Sequence, residues 1–181
     1  MIERLINGLH SDERGTAGVE FALLSPILLF ILAGTIDFGL MIYTSGGLDK
    51  SVAEVTNYAI VHGSSASSAG GAALAAKLLA IAPAAVDISV VVNGGPQLTR
   101  INGAVTTAGT VSTADVCHCP TSSNGTVTWG GALTCGAACS GGGVAGKFVY
   151  IAESVPYSPL FGDYGFVKNH SLFASSLVQV Q

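Results

Sequence analysis

Residues 12–43 read DERGTAGVEFALLSPILLFILAGTIDFGLMIY, in which charged residues are followed by a long apolar run. Positions 21–43 form an apolar run in which Asp37 is the only charged residue. As a helix rising about 1.5 Å per residue, the run would extend roughly 35 Å, and the hydrocarbon core of a bilayer is about 30 Å thick. The run therefore predicts a transmembrane helix over residues 21–43.

Two residues inside the run need an explanation. Asp37 lies six residues before Tyr43, so it is expected either to reach the membrane interface as a solvated carboxylate or to meet a partner helix. The residues leave both alternatives open. Pro26 removes one backbone hydrogen bond and favours a kink, which membrane helices tolerate.

The flanking charges indicate an orientation. Arg4 and Arg14 precede the run and only Lys50 follows it closely, so the positive-inside preference places the N-terminus in the cytoplasm. A secretory signal peptide with its apolar core at 21–34 is the alternative. Acidic residues ahead of that core, among them Glu20, are unusual in such signals and favour the membrane anchor.

Composition excludes several classes of function. The chain has 181 residues, a net charge of −4 and only 10% charged residues, with Lys and Arg scattered singly. Nucleic-acid binding needs clustered basic side chains, so no nucleic-acid partner is expected. The histidines are far apart, and no nucleophile elbow or phosphate-binding loop is present. We therefore predict no enzyme activity, cofactor or metal, and we interpret Glu153 and Asp163 as surface charges.

Beyond the membrane run, the hydrophobic pattern predicts an α+β head. The first helix is expected to continue past Gly46-Gly47 to about Gly63, and a second to end at Pro83. Helices followed by strands are typical of α+β domains, here with an antiparallel sheet of about four strands. The candidate strands lie in 86–92, 109–119, 146–155 and 171–180.

Four cysteines, Cys117, Cys119, Cys135 and Cys139, predict a disulfide-bonded loop in an oxidising compartment. A bond between the first two would close a very tight ring, so cross-pairing with the last two is expected, and both cross-paired connectivities stay open. The alternative function is a membrane-anchored metal or redox protein that uses this Cys-His-Cys and Cys-x3-Cys cluster. With disulfides, His118 is expected to face solvent. Trp129 is expected to pack over the loop, with a surface role in adhesion as the alternative.

The stretch RGTAGVEF, residues 14–21, resembles the processing site of type IV pilin-like precursors. More specifically, GVEFALLSPILLFILAGTIDFG resembles the N-terminal block of TadE-like minor pseudopilins of the tight-adherence (Tad) pilus system. A second block, FVYIAESVPYSPLFG at 148–162, resembles that family's strand and Tyr/Pro-rich corner. The middle of the chain adds little to the likeness.

This resemblance implies cleavage by a prepilin peptidase between Gly15 and Thr16. Glu20 and Phe21 become the fifth and sixth mature residues, and Glu20 is implied to pair with the N-terminal amine of a neighbouring subunit. The implied regions are a cytoplasmic leader at 1–15, a helix at 16–63, and a periplasmic head at 64–181 with its disulfide-bonded loop at 117–139. The implied function is pilus initiation or adhesion, with pilin-like subunits, assembly machinery and inner-membrane lipid as partners.

Overall fold

The computed structural model describes residues 16–123, 125–160, 167 and 170–181. The predicted leader at 1–15, with Gly15, lies outside these residues, and so does Asp163. The chain divides into two compact units, Met1–Leu40 and Met41–Gln181. We call the second unit the head.

Helix α1 runs without interruption over Thr16–Val61, a length of 46 residues. It continues through Gly46-Gly47, as the sequence predicts. Pro26 lies inside it and has no N–H to offer the carbonyl of Ala22, four residues earlier. The hydroxyl of Ser25 donates to that same carbonyl oxygen at 3.3 Å. Ser25 therefore satisfies the acceptor that Pro26 leaves open, which matters most where water is absent.

The rest of the head is a second helix and an antiparallel sheet, so the α+β prediction is confirmed. Helix α2 covers Gly71–Ile81. The sheet has five strands in the order β3-β2-β1-β6-β7, one more than the four expected. The strands are β1 Asp87–Val92, β2 Gln97–Ile101, β3 Ala104–Ala108, β6 Phe148–Pro156 and β7 Ser171–Gln179. A separate hairpin pairs β4 Thr121–Ser123 with β5 Thr126–Thr128.

Two strand predictions differ from the structure. Strands β2 and β3 were not expected; they join through Asn102-Gly103, whose φ angles of 49° and 80° suit the tight hairpin turn that an Asn-Gly pair favours. The candidate strand at 109–119 is wrong. Its centre is a 3₁₀ helix, Val111–Asp115, and only isolated bridges follow it at Cys117 and His118.

The helices cover one face of the sheet. The main core joins Val55 and Ala59 of α1 and the buried face of α2 to alternate residues of β1 and β6, including Val90 and Ile151. A smaller cluster packs Met41, Leu48 and Val52 of α1 against β7. Both clusters lie within the head, so the C-terminal half of α1 is a structural part of the head.

Candidate functional site

The N-terminal part of α1 has an exposed apolar surface. Its large side chains from Val19 to Tyr43 are mostly more than half exposed, and Leu23 reaches 71%. Among the described residues, α1 is the one helix long and apolar enough to cross a membrane. In water such a surface would be unfavourable, since about 25 cal/mol is lost for each Å² of apolar area left hydrated. It is therefore a surface for lipid or for other helices.

The residues that the sequence predicts for processing and subunit pairing lie at the start of this helix. Thr16 is its first residue, and Glu20 and Phe21 follow after about one turn. Both side chains are exposed, Phe21 to 67%. The structure thus brings Glu20 and Phe21 to the start of the apolar surface, where a neighbouring molecule can reach them.

Asp37 differs from its neighbours along α1. Only 3% of it is exposed, whereas Ile36 and Phe38 are 53% and 45% exposed. Of the two alternatives that the sequence leaves open for Asp37, this burial does not fit a solvated interfacial carboxylate. The hydroxyl of Thr35 donates to the carbonyl of Ile31 at 2.8 Å, so this polar group of the apolar run is satisfied within its own helix.

The four cysteines form two interleaved disulfides within the head. Cys117 pairs with Cys135 and Cys119 with Cys139, with Cα–Cα distances of 5.1 and 5.7 Å. This is one of the two cross-paired connectivities that the sequence leaves open. No described cysteine is free, and no three His, Cys, Asp or Glu side chains of the described residues form a metal-binding group. The geometry gives no support to the metal or redox alternative.

His118 is buried, so the expectation that it faces solvent is wrong. Only 6% of it is exposed, and its ring meets that of Trp129 edge-on, with centroids 6.1 Å apart. Its backbone pairs with Gly146, which turns the side chain inward. Trp129 also covers Gly94, where an added Cβ would come within 3.1 Å of the indole. Trp129 therefore packs between the disulfide-bonded loop and the sheet.

Asn93 fastens this loop to the sheet. Its side-chain amide is buried and donates to the carbonyls of Ala114 and Val116, at 3.0 and 2.6 Å. Its side-chain oxygen accepts from the backbone N–H of Phe148 at 3.1 Å. One residue in the turn after β1 thus holds the 3₁₀ helix and the start of β6, which explains why residues 109–119 do not form a strand.

The interpretation of Glu153 as a surface charge is also wrong. It lies on β6, on the face that α1 covers, and none of it is exposed. Its Oε1 accepts from the hydroxyl of Ser51 on α1 at 3.1 Å, whereas Oε2 has no hydrogen-bond partner among the described residues. Burial raises the pKa of Glu153, and the Ser51 hydrogen bond and the charge of Arg100 oppose that rise.

Arg100 lies in the same row across the sheet. Ile88 of β1 pairs with Arg100 on one side and with Glu153 on the other. The Arg100 guanidinium donates to the carbonyls of Leu79, Ala82, Pro83 and Val86, at distances from 2.5 to 3.2 Å. It therefore caps the C-terminal end of α2, where a cation is favoured.

Comparison with known proteins adds one match. The family described as TadE-like protein matches residues 15–56. That range contains Gly15, Thr16, Glu20 and Phe21, and it covers most of α1. The second block, at 148–162, lies outside it and remains a prediction. No curated protein and no solved structure matches the chain. Over residues 15–56 the chain is thus similar to the TadE-like family, as the resemblance in its sequence predicts.

Proposed function

We propose that this chain is a minor pseudopilin of the Tad pilus system. In this proposal residues 21–43 cross the inner membrane with the N-terminus in the cytoplasm, and the head lies in the periplasm. The protein works by association in pilus initiation or adhesion, and its partners are pilin-like subunits and the assembly machinery. The observation that carries the proposal is the overlap of the TadE-like range, 15–56, with the exposed apolar surface of α1.

We further propose that a prepilin peptidase cleaves between Gly15 and Thr16. The new amine at Thr16 is then four residues, about 6 Å of helix, from Glu20. A carboxylate near hydrocarbon is costly to leave unpaired, and the N-terminal amine of a neighbouring subunit offsets that cost. Phe21, exposed beside it, would pack on the same neighbour. The paired disulfides fit an oxidising periplasm.

The intact mass and N-terminal sequence of the protein from membranes of its native host test the cleavage. We expect a chain that begins at Thr16 and is lighter than its reduced form by four hydrogen atoms, two for each disulfide. Gly15→Ala should block processing, whereas Gly18→Ala, three residues later in α1, should not. A mature start near Thr35 would indicate a signal peptide and remove Glu20. An uncut Met1 would leave only a single-pass anchored protein.

Subunit pairing needs a separate measurement. We expect Glu20→Gln to be processed normally but to co-purify with less of the pilin-like subunits after crosslinking in intact cells. Glu54→Gln is the matched control, because Glu54 is exposed on the same helix outside the membrane run. Equal recovery of partners with both variants would show that Glu20 does not pair with another subunit.

A further inference from the structure

A groove of about 650 Å³ opens in the head beside α1, immediately after the membrane run. Its lining begins at Ile42 and Tyr43, the last two residues of that run, and extends along α1 to Lys50 and Ser51. The opposite wall consists of Pro83, Val86 and Val155. This volume lies within the range of small-molecule sites, about 300–1,000 Å³.

The groove exists because α1 has no side chains at Gly46 and Gly47. Both residues are exposed, and a Cβ added at either would meet no heavy atom within 4 Å. One turn further, Ser51 closes the inner end through its hydrogen bond to Glu153. The lining of the groove therefore runs along α1 from Ile42 and Tyr43 to Ser51, which makes a buried polar contact with Glu153.

Its position matches the headgroup layer of a bilayer. Lys50 follows Tyr43 by seven residues, roughly 10 Å of helix. The polar layer on each side of the hydrocarbon core is about 5–7 Å thick. Because a lysine stem is long and flexible, the ammonium of Lys50 can reach back into that layer. Tyr43, 80% exposed, has the amphipathic ring that is favoured at this depth.

The chemistry of the lining selects the ligand. Among the described residues that line the groove, Lys50 carries the one charge, and the others are apolar, glycine or hydroxyl residues. Asp49 and Glu54, the acids nearest to it in sequence, are not part of the lining. A fitting molecule therefore joins an apolar chain to a single negative charge.

We propose that this groove binds one anionic phospholipid. Its glycerol and upper acyl chain lie against Ile42, Gly47 and Val155, and its phosphate pairs with Lys50. The inference rests on the proposed membrane insertion and specifies where the head meets lipid. A phospholipid is favoured over a helix of a second copy because the groove supplies a cation at headgroup level.

Native mass spectrometry of the full-length protein tests this proposal. The protein is released from nanodiscs containing equal amounts of phosphatidylglycerol and phosphatidylcholine. We expect one retained phosphatidylglycerol per chain, preferred about fivefold, the ratio that an exposed ion pair of about 1 kcal/mol provides. Soluble glycerol 3-phosphate should not displace it, because that molecule lacks the apolar chain.

Two variants address the two parts of the site. Lys50→Gln should bring the two lipids to parity, and Lys77→Gln, an exposed lysine on α2, should leave the preference unchanged. Gly47→Leu fills the groove and should reduce retention of both lipids about tenfold, the effect of losing contact with about two methylenes. Gly39→Leu is its control, because an added Cβ there also meets nothing within 4 Å.

Equal retention of both lipids by the unaltered protein would overturn the proposal. If glycerol 3-phosphate displaces the lipid, the groove is a site for a soluble phosphate. If Gly47→Leu converts a dimer to a monomer and leaves lipid retention unchanged, the groove is a contact with a second copy of the chain. Either result would also overturn it. If the protein inserts into nanodiscs but retains no lipid, this inference fails and the proposed function stands. If it does not insert, both fail.

Discussion

The hydroxyl of Ser51 on α1 donates a hydrogen bond of 3.1 Å to Oε1 of Glu153 on β6, and the two residues are 102 positions apart in the chain. This bond is a polar link across the otherwise apolar contact between the helix and the sheet. Glu153 has no exposed surface, and within the part of the chain that the structure describes its second oxygen accepts no hydrogen bond. The head therefore contains a carboxyl group whose protonation state affects its stability.

We predict that acid stabilises the head through Glu153. Burial raises the pKa of Glu153, so the folded head binds this proton more tightly than the unfolded chain does. The stability that protonated Glu153 gives the head is complete below the pKa of a glutamate in the unfolded chain, about 4.3. It is lost as the pH rises through the higher pKa of Glu153 in the folded head. In Glu153→Gln the side chain is uncharged at every pH, so the free energy of unfolding should no longer fall as the pH rises through this range. Near pH 8 the variant should be more stable than the unaltered protein by about 1–2 kcal/mol.

Urea unfolding of the full-length protein in micelles, followed by the fluorescence of its single Trp, gives the free energy of unfolding at each pH. Asp49→Asn is the control, because it removes an exposed carboxylate of the same helix that does not shift the pKa of Glu153, so the pH dependence of the unfolding free energy should be kept. Parallel pH profiles for the unaltered protein and Glu153→Gln would contradict the prediction.

Ser51→Ala should destabilise the head by about 1–3 kcal/mol, because Glu153 then loses its one side-chain hydrogen bond while still buried. The same change should have a smaller effect in the Glu153→Gln background. Ser45→Ala removes a hydroxyl that bonds only to the carbonyl of Ile42 in its own helix, so its effect should stay within about 0.5 kcal/mol. Equal effects of the two serine substitutions would show that the bond to Glu153 contributes nothing.

Asn93 and Asn102 form a matched pair for testing whether the side chain of Asn93 holds the segment at Ala114 and Val116 against the sheet. Both have a φ of 49°, so glycine suits the backbone at either position. Asn93→Gly should lose about 3 kcal/mol, because the carbonyls of Ala114 and Val116 and the N–H of Phe148 lose their partner. Asn102→Gly should be nearly neutral. Thermal unfolding of both variants measures the difference, and similar melting temperatures would refute the role of Asn93.

Arg100→Met should destabilise the head by about 2–4 kcal/mol. Methionine keeps the apolar stem but removes the cation that binds four carbonyls at the end of α2. Lys77→Met, at an exposed position of the same helix, makes the same change of charge without such bonds. Hydrogen exchange should show faster opening of α2 in Arg100→Met alone. Unchanged protection of α2 would argue against the cap.

Disulfide mapping by non-reducing proteolysis should give peptides that link Cys117 to Cys135 and Cys119 to Cys139. Each bond closes a loop of similar length, with separations of 18 and 20 residues. Removing either pair by double serine substitution should therefore reduce stability by about 3 kcal/mol. A peptide joining Cys117 to Cys139 would establish the other cross-paired connectivity instead.

The parts of the fold that depend on local pattern could be predicted from the sequence. Helix α1 follows from a long apolar run that only a helix can satisfy in a membrane. Two further parts of the head also have local signals. Asn102-Gly103, with Ile101 before it and Val105 and Thr106 shortly after it, marks the β2–β3 hairpin. Glu153 alternates with Val149, Ile151 and Val155, which places it on the buried face of its strand.

Other features depend on contacts that no local pattern reveals. The 3₁₀ helix at Val111–Asp115 is held by Asn93, about twenty residues earlier, and this overrides the strand-like composition around it. The pairing of the cysteines depends on how the loop folds back on the segment 117–119. His118 is buried because Trp129 and the bridge to Gly146 enclose it, although its spacing resembles that of an exposed strand residue.

The two interleaved disulfides also determine how the head responds to a protease. The β4–β5 hairpin lies between Cys119 and Cys135, and its residues are mostly exposed. A single cut anywhere in that hairpin leaves Cys117 and Cys119 on one fragment and Cys135 and Cys139 on the other, joined by both bonds. The cleaved protein therefore stays in one piece until both disulfides are reduced.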